Sequence, residues 1–135
     1  MNDETLLHRQ IHPMWRTATD IAVAAFTVTN EAFSPSTKDA GCLSVFNGDL
    51  TTAESAYHDY TAQGLQSCGV LSVSHKECTS LSLSCRDDPT DIFPHHAIIN
   101  FNQKPPLSKG ERKAKVKQLR RSEEHTSELQ SLVII

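Results

Sequence analysis

The feature that most constrains this chain is a series of short β-type runs, each cut off by proline, glycine or an Asx turn before it reaches about eight residues. The strongest is Ala97-Ile98-Ile99-Asn100-Phe101, held between Phe93-Pro94 and Pro105-Pro106. Cys42-Leu43-Ser44-Val45-Phe46 ends at Asn47-Gly48-Asp49, an Asn-Gly turn of the kind that accepts positive φ. Residues 6–12 form a third run, stopped by Pro13, with Leu7, the Arg9 stem and Ile11 on one face and His8, Gln10 and His12 on the other. Val70-Leu71-Ser72-Val73 and Leu83-Ser84-Cys85 add two more, and residues 21–28 favour a strand because they mix β-branched and small residues without helical period.

Between these runs lie three helix signals. Thr51 or Thr52 caps a helix whose stripe is Ala53, Ala56, Tyr57 and Tyr60 and whose stop is Gly64. Ser74, with Glu77 in the capping-box position, starts a short helix over 76–81, and a basic helix follows over 109–120. Short strands interspersed with few helices give an α+β class: a single small domain with a mostly antiparallel sheet of about four to six short strands and two or three helices.

The last segment has a different origin. Eleven consecutive residues, Arg121-Ser122-Glu123-Glu124-His125-Thr126-Ser127-Glu128-Leu129-Gln130-Ser131, equal the in-frame translation of a widely used sequencing-library adapter. Residues 121–135 are therefore treated as a non-native, adapter-derived tail and left out of the fold argument. What remains divides by charge. Residues 1–103 carry 12 acidic and five basic side chains and form an acidic core domain, whereas 104–120 carry seven basic residues against Glu111 alone. The basic run suits the solvated face of a terminal helix docked back on the acidic body, and no aromatic residue is interleaved with it for base stacking. A protein partner is thus favoured over nucleic acid. No run approaches a membrane span and the start Met1-Asn2-Asp3-Glu4 is acidic, so no membrane association and a cytoplasmic location are expected.

Cys42, Cys68, Cys78 and Cys85 show no zinc-site spacing, so no metal is expected and they are read as small buried apolar residues. No cofactor is implied, since there is no glycine-rich phosphate loop, and neither a Gly-x-Ser-x-Gly elbow nor a His-Glu-x-x-His helix is present. The candidate catalytic residues are His8, Arg9, His12, Glu54 and His96. His8 and His12 stand about 13 Å apart on an extended strand, too far to share one metal. His96 is preferred to His95 because it keeps phase with Ile98 and Asn100, so it is the one able to face a cleft. Thr52 with Glu54 reads first as a helix start, and Asp87-Asp88 as turn chemistry.

The succession His8-Arg9-Gln10-Ile11-His12-Pro13, Ala32-Phe33-x-Pro35, Leu43-Ser44-Val45, Gly48-Asp49, Thr52-Ala53-Glu54, Asp88-Pro89 and Phe93-Pro94-x-His96-Ala97 resembles a family of small uncharacterised bacterial proteins. The resemblance spans about residues 6–120 and implies a bacterial setting without a mechanism. Two functional classes follow from the residues. The first is a non-catalytic interaction module whose acidic body and basic end contact other macromolecules, which expects scattered histidines and no pocket. The second is a small transferase or hydrolase acting on a nucleotide or other phosphate compound, with Arg9 neutralising phosphate, His96 moving a proton and Glu54 positioning the nucleophile, which expects those three to converge.

Overall fold

In the computed structural model, residues 1–15, 30–35, 41–103 and 105–121 are described. Five strands, β1 (Leu6–Gln10), β2 (Cys42–Asn47), β3 (Val70–Ser74), β4 (Ser84–Asp87) and β5 (His96–Asn100), form one antiparallel sheet in the order β3-β1-β2-β5-β4. Three helices, α1 (Ala53–Ala62), α2 (His75–Ser80) and α3 (Lys109–Arg120), complete a single small α+β domain. The strand expected over 21–28 and residues 122–135 lie outside the described residues. None of the described helices is long and apolar enough to cross a membrane.

Local chemistry sets the helix boundaries. Thr52 accepts the Ser55 N–H at 3.1 Å to open α1, and Gly64, at φ +80°, follows its end in the left-handed region that favours glycine. Helix α2 begins with a complete capping box between Ser74 and Glu77, and α3 with a second one between Ser108 and Glu111. Leu83 is not in a strand: Ser82 takes φ 58°, turning the chain so that Leu83 drops into the core and β4 starts one residue later.

Register sorts the side chains onto two faces, because directly paired residues project to the same side. Leu7, Leu71 and Val73, then Leu43, Val45, Ala97 and Ile99, share one face. They pack with Phe33 from the 3-10 turn Asn30–Phe33, with Cys78 and Phe101, and with Val116 and Leu119 of α3. Helix α3 thus docks through its apolar side while Lys109, Lys113 and Lys117 stay exposed, as the charge pattern leads one to expect. On the other face stand Leu6, His8 and Gln10 of β1 with Ser74, Ser72 and Val70 of β3, and Ser44 and Phe46 of β2 with Ile98 and His96 of β5. Helix α1 covers part of that face by packing Ala53 and Tyr57 on Val70.

Two expectations are corrected. Gly48 is not at positive φ. Its requirement is space, since a Cβ there would lie 2.5 Å from the Leu6 carbonyl oxygen and 3.0 Å from His8 Nε2. The cysteines are not all buried either: Cys78 is, whereas Cys42, Cys68 and Cys85 are half-buried and all four are free thiols.

Candidate functional site

The ladder between β1 and β2 is short, pairing only Leu7 with Asn47 and His8 with Phe46, while β1 continues to Gln10 against β3. Where that ladder stops, the Arg9 side chain bridges to β2. Its Nη1 donates to the Ser44 carbonyl at 2.9 Å and its Nε to the Ala32 carbonyl at 2.8 Å. A pocket of about 310 Å³ opens there, lined by Arg9, Gln10, His12, Ser44, Phe46, Tyr60, Phe93 and His96.

One wall is aromatic. Phe46 meets Phe93 edge-on at 5.4 Å and Tyr60 edge-on at 6.5 Å, and Tyr60 stacks on Phe93 at 6.0 Å. These contacts tie α1, β2 and the turn before β5 together, and edge-to-face pairs at such separations are favourable. The opposite wall is polar. Gln10 is 6% exposed, one of its two amide heteroatoms is held by Ser67 Oγ at 2.7 Å, and the other is buried without a partner.

The two histidines of the pocket are fixed in opposite senses. His96 Nδ1 lies 2.9 Å from the Asp88 carbonyl, which can only accept, so Nδ1 carries a proton and, in the neutral ring, Nε2 is the acceptor. The Asp88 carboxylate stands 3.3 Å from the same nitrogen. His12 Nδ1 accepts the Met14 N–H at 3.1 Å, which places the proton of its neutral ring on Nε2 and makes it a donor.

Of the five residues picked out in the sequence, Arg9, His12 and His96 meet at this pocket and the other two stand elsewhere. His8 is buried on the strand and bonded to Ser72 Oγ at 2.7 Å, its direct partner across β1 and β3. Glu54 is exposed on α1, 3.8 Å from His58 one turn along, and does not line the pocket. The carboxylate beside His96 is Asp88. The sequence hid it because an Asp-Pro pair reads as turn chemistry, and only the β4–β5 pairing brings Asp88 N–H to the His96 carbonyl at 2.8 Å. Gln10, Ser44, Phe46, Tyr60 and Phe93 were also missed as site residues, although the strand alternation set Gln10 on the face of His8 and His12 and the helical stripe placed Tyr60 on α1.

Among the described residues no three His, Cys, Asp or Glu side chains are grouped to hold a metal ion. In comparisons with known proteins, no family model, no curated protein and no solved structure matches the chain.

Proposed function

We propose that this domain binds a small anionic molecule in the pocket between β1, β2, β5 and α1. The supporting observation is the donor chemistry of its wall. The body carries 12 acidic against five basic side chains, yet the described lining contains Arg9, His12 and His96 and no carboxylate. The buried, unpartnered Gln10 Nε2 in this lining is a hydrogen-bond donor to which an acceptor oxygen of a bound molecule can be matched. A volume of about 310 Å³ is at the small end of ligand pockets, which suits a compound of one or two rings over a dinucleotide. A bacterial cytoplasmic setting fits such a domain.

One observation favours a second reading, a transferase or hydrolase acting on a phosphate-containing substrate. His96 Nε2 has no hydrogen-bond partner among the described residues, while its Nδ1–H is held by Asp88, the arrangement a general base needs. In that reading Asp88 orients His96 and Arg9 neutralises phosphate, while Glu54, expected to position the nucleophile, stands outside the pocket and takes no part.

The test is a fragment screen on the isotope-labelled full chain with small acids, neutral compounds and amines of matched size. Acids are expected to shift the backbone amides of Ser44 and His96. Equal binding by amines and acids, or hits that move only residues outside the pocket, would overturn the reading.

A further inference from the structure

We infer that Cys78 and Cys85 form a redox-active dithiol that reduces a low-molecular-weight disulfide, with Cys85 as the attacking sulfur and Cys78 as the sulfur that resolves the intermediate. The pair lies on the face of the sheet that α3 covers, so the inference stands or falls without the anionic-ligand reading.

The end of helix α2 brings the two together. Leu83 N–H donates to the Cys78 carbonyl at 2.9 Å and Ser82 N–H to the Thr79 carbonyl at 2.9 Å, the bond pair of a Schellman motif. The left-handed residue that this motif requires is Ser82, at φ 58°. The reversal sends β4 back past Cys78, and the β4–β5 register sets Cys85 opposite Ile99. Directly paired residues project to the same side, so Cys85 points to the face on which Cys78 and Ile99 are buried. There the two thiols are hydrogen-bonded to each other, with six residues between them in the chain.

Their surroundings differ in the way thiol–disulfide exchange needs. Cys78 is 0% exposed, whereas Cys85 is half-buried on an edge strand whose Ser84, Arg86 and Asp87 are exposed, so a reagent from solvent meets Cys85 first. The bond from Cys78 holds the Cys85 thiol below its ordinary value of 9.0, against the effect of burial. The same bond, burial, and the Cys85 and Glu77 charges all push the Cys78 thiol up. An accessible sulfur favoured as thiolate beside a buried one kept protonated divides attack from resolution. The remaining cysteines are placed otherwise. Cys42 pairs with Asn100 and projects to the opposite face, and Cys68 sits beside the end of β1, where its N–H donates to the Ile11 carbonyl.

In the first step the Cys85 thiolate attacks one sulfur of R–S–S–R, forming a Cys85–S–S–R bond and releasing RS⁻, which takes up the proton that Cys85 gave. In the second, the Cys78 sulfur attacks the Cys85 sulfur and expels the other RS⁻, which leaves as RSH with the Cys78 proton. Two electrons pass from the dithiol to the substrate, yielding two RSH and a Cys78–Cys85 disulfide.

The experiment incubates the reduced, folded full chain with glutathione disulfide, quenches by alkylation at intervals and maps the products by mass spectrometry. The Cys78–Cys85 cross-link is expected as the first intramolecular disulfide, with Cys42 and Cys68 reacting about tenfold more slowly than Cys85 and with reversal by excess glutathione. Cys78→Ala is expected to leave a persistent glutathione adduct on Cys85, and Cys85→Ser to slow the loss of the Cys78 thiol by about tenfold or more. Should Cys78→Ala not fold, the order of alkylation by iodoacetamide in the unmutated protein decides, with Cys85 first and Cys78 last. A first cross-link through Cys42 or Cys68, a glutathione adduct that persists on Cys85 while Cys78 is present, or a Cys85 that reacts no faster than Cys42 would overturn the inference.

Discussion

The two faces of the sheet are built on opposite principles. One is closed and dry: Leu7, Val45, Val73, Ala97 and Ile99 are each 0% exposed and pack against Phe33, Phe101, Val116 and Leu119. The other carries His8, Gln10, Ser72 and Ser74, all buried and polar, and gives way to a pocket where α1 stops covering it. Burying polar groups costs free energy unless each is hydrogen-bonded, so the second face is held by specific pairs such as His8 with Ser72 and Gln10 with Ser67. The dry face supplies the stability that lets the polar face keep an open recess. The division follows from period-two alternation, since each strand sends half its side chains to each side.

If that division is right, the largest effect of a single truncation belongs to the dry face. Ile99→Ala is expected to cost about 2–5 kcal/mol in denaturant unfolding, because it removes packed methylenes where neighbours cannot collapse to fill the gap. Ser44→Ala, paired with Ile98 on the other face and lining the pocket, is expected to change stability by less than about 0.5 kcal/mol. Comparable losses at the two positions would erase the distinction. Gly48→Ala should fall between them, at about 1–3 kcal/mol, from overpacking alone. The added Cβ would press on the Leu6 carbonyl and His8 Nε2, forcing apart the already short β1–β2 ladder. A near-neutral Gly48→Ala would mean that this end of the polar face yields easily.

These contrasts also mark what was legible in the chain. The helix caps at Thr52 and Ser74, the stop at Gly64 and the helix over 109–120 were readable because each depends on neighbours within a few residues. The alternation in β1 was readable too, and it correctly set Leu7 and Ile11 against His8 and Gln10. Strand order and register were not, since β1 pairs with β3 and β2 across more than thirty intervening residues. The site depends on those long-range pairings. Arg9 and His96 were picked for their chemistry and do share the pocket, but Glu54 was grouped with them by residue type, and helix α1 points it to solvent. Asp88 came to His96 only through the β4–β5 ladder, and Gln10 entered the site only once β1 was seen to outrun β2.

The smallest effect sharpens the comparison at the outer layer of the dry face. Helix α3 closes that face with Val116 and Leu119, yet its first turn is held by an exposed polar cap. Glu111 Oε1 accepts the Ser108 N–H at 3.1 Å, and Ser108 Oγ accepts the Glu111 N–H at 3.1 Å. The bond from the Ser108 backbone holds the Glu111 carboxyl below its ordinary value of 4.5, with the Ser108 side chain and the Lys115 charge acting in the same direction. A carboxyl depressed in the folded state contributes stability above its unfolded value and loses it as pH falls through the folded one. Methyl signals of Val116 and Leu119 are therefore expected to begin shifting below about pH 4.5 before those of Ile99, and Glu111→Gln should remove that early response. If all three residues respond together in the unmutated protein, or Glu111→Gln keeps the same pH dependence, α3 melts with the sheet and the cap does not set its pH limit.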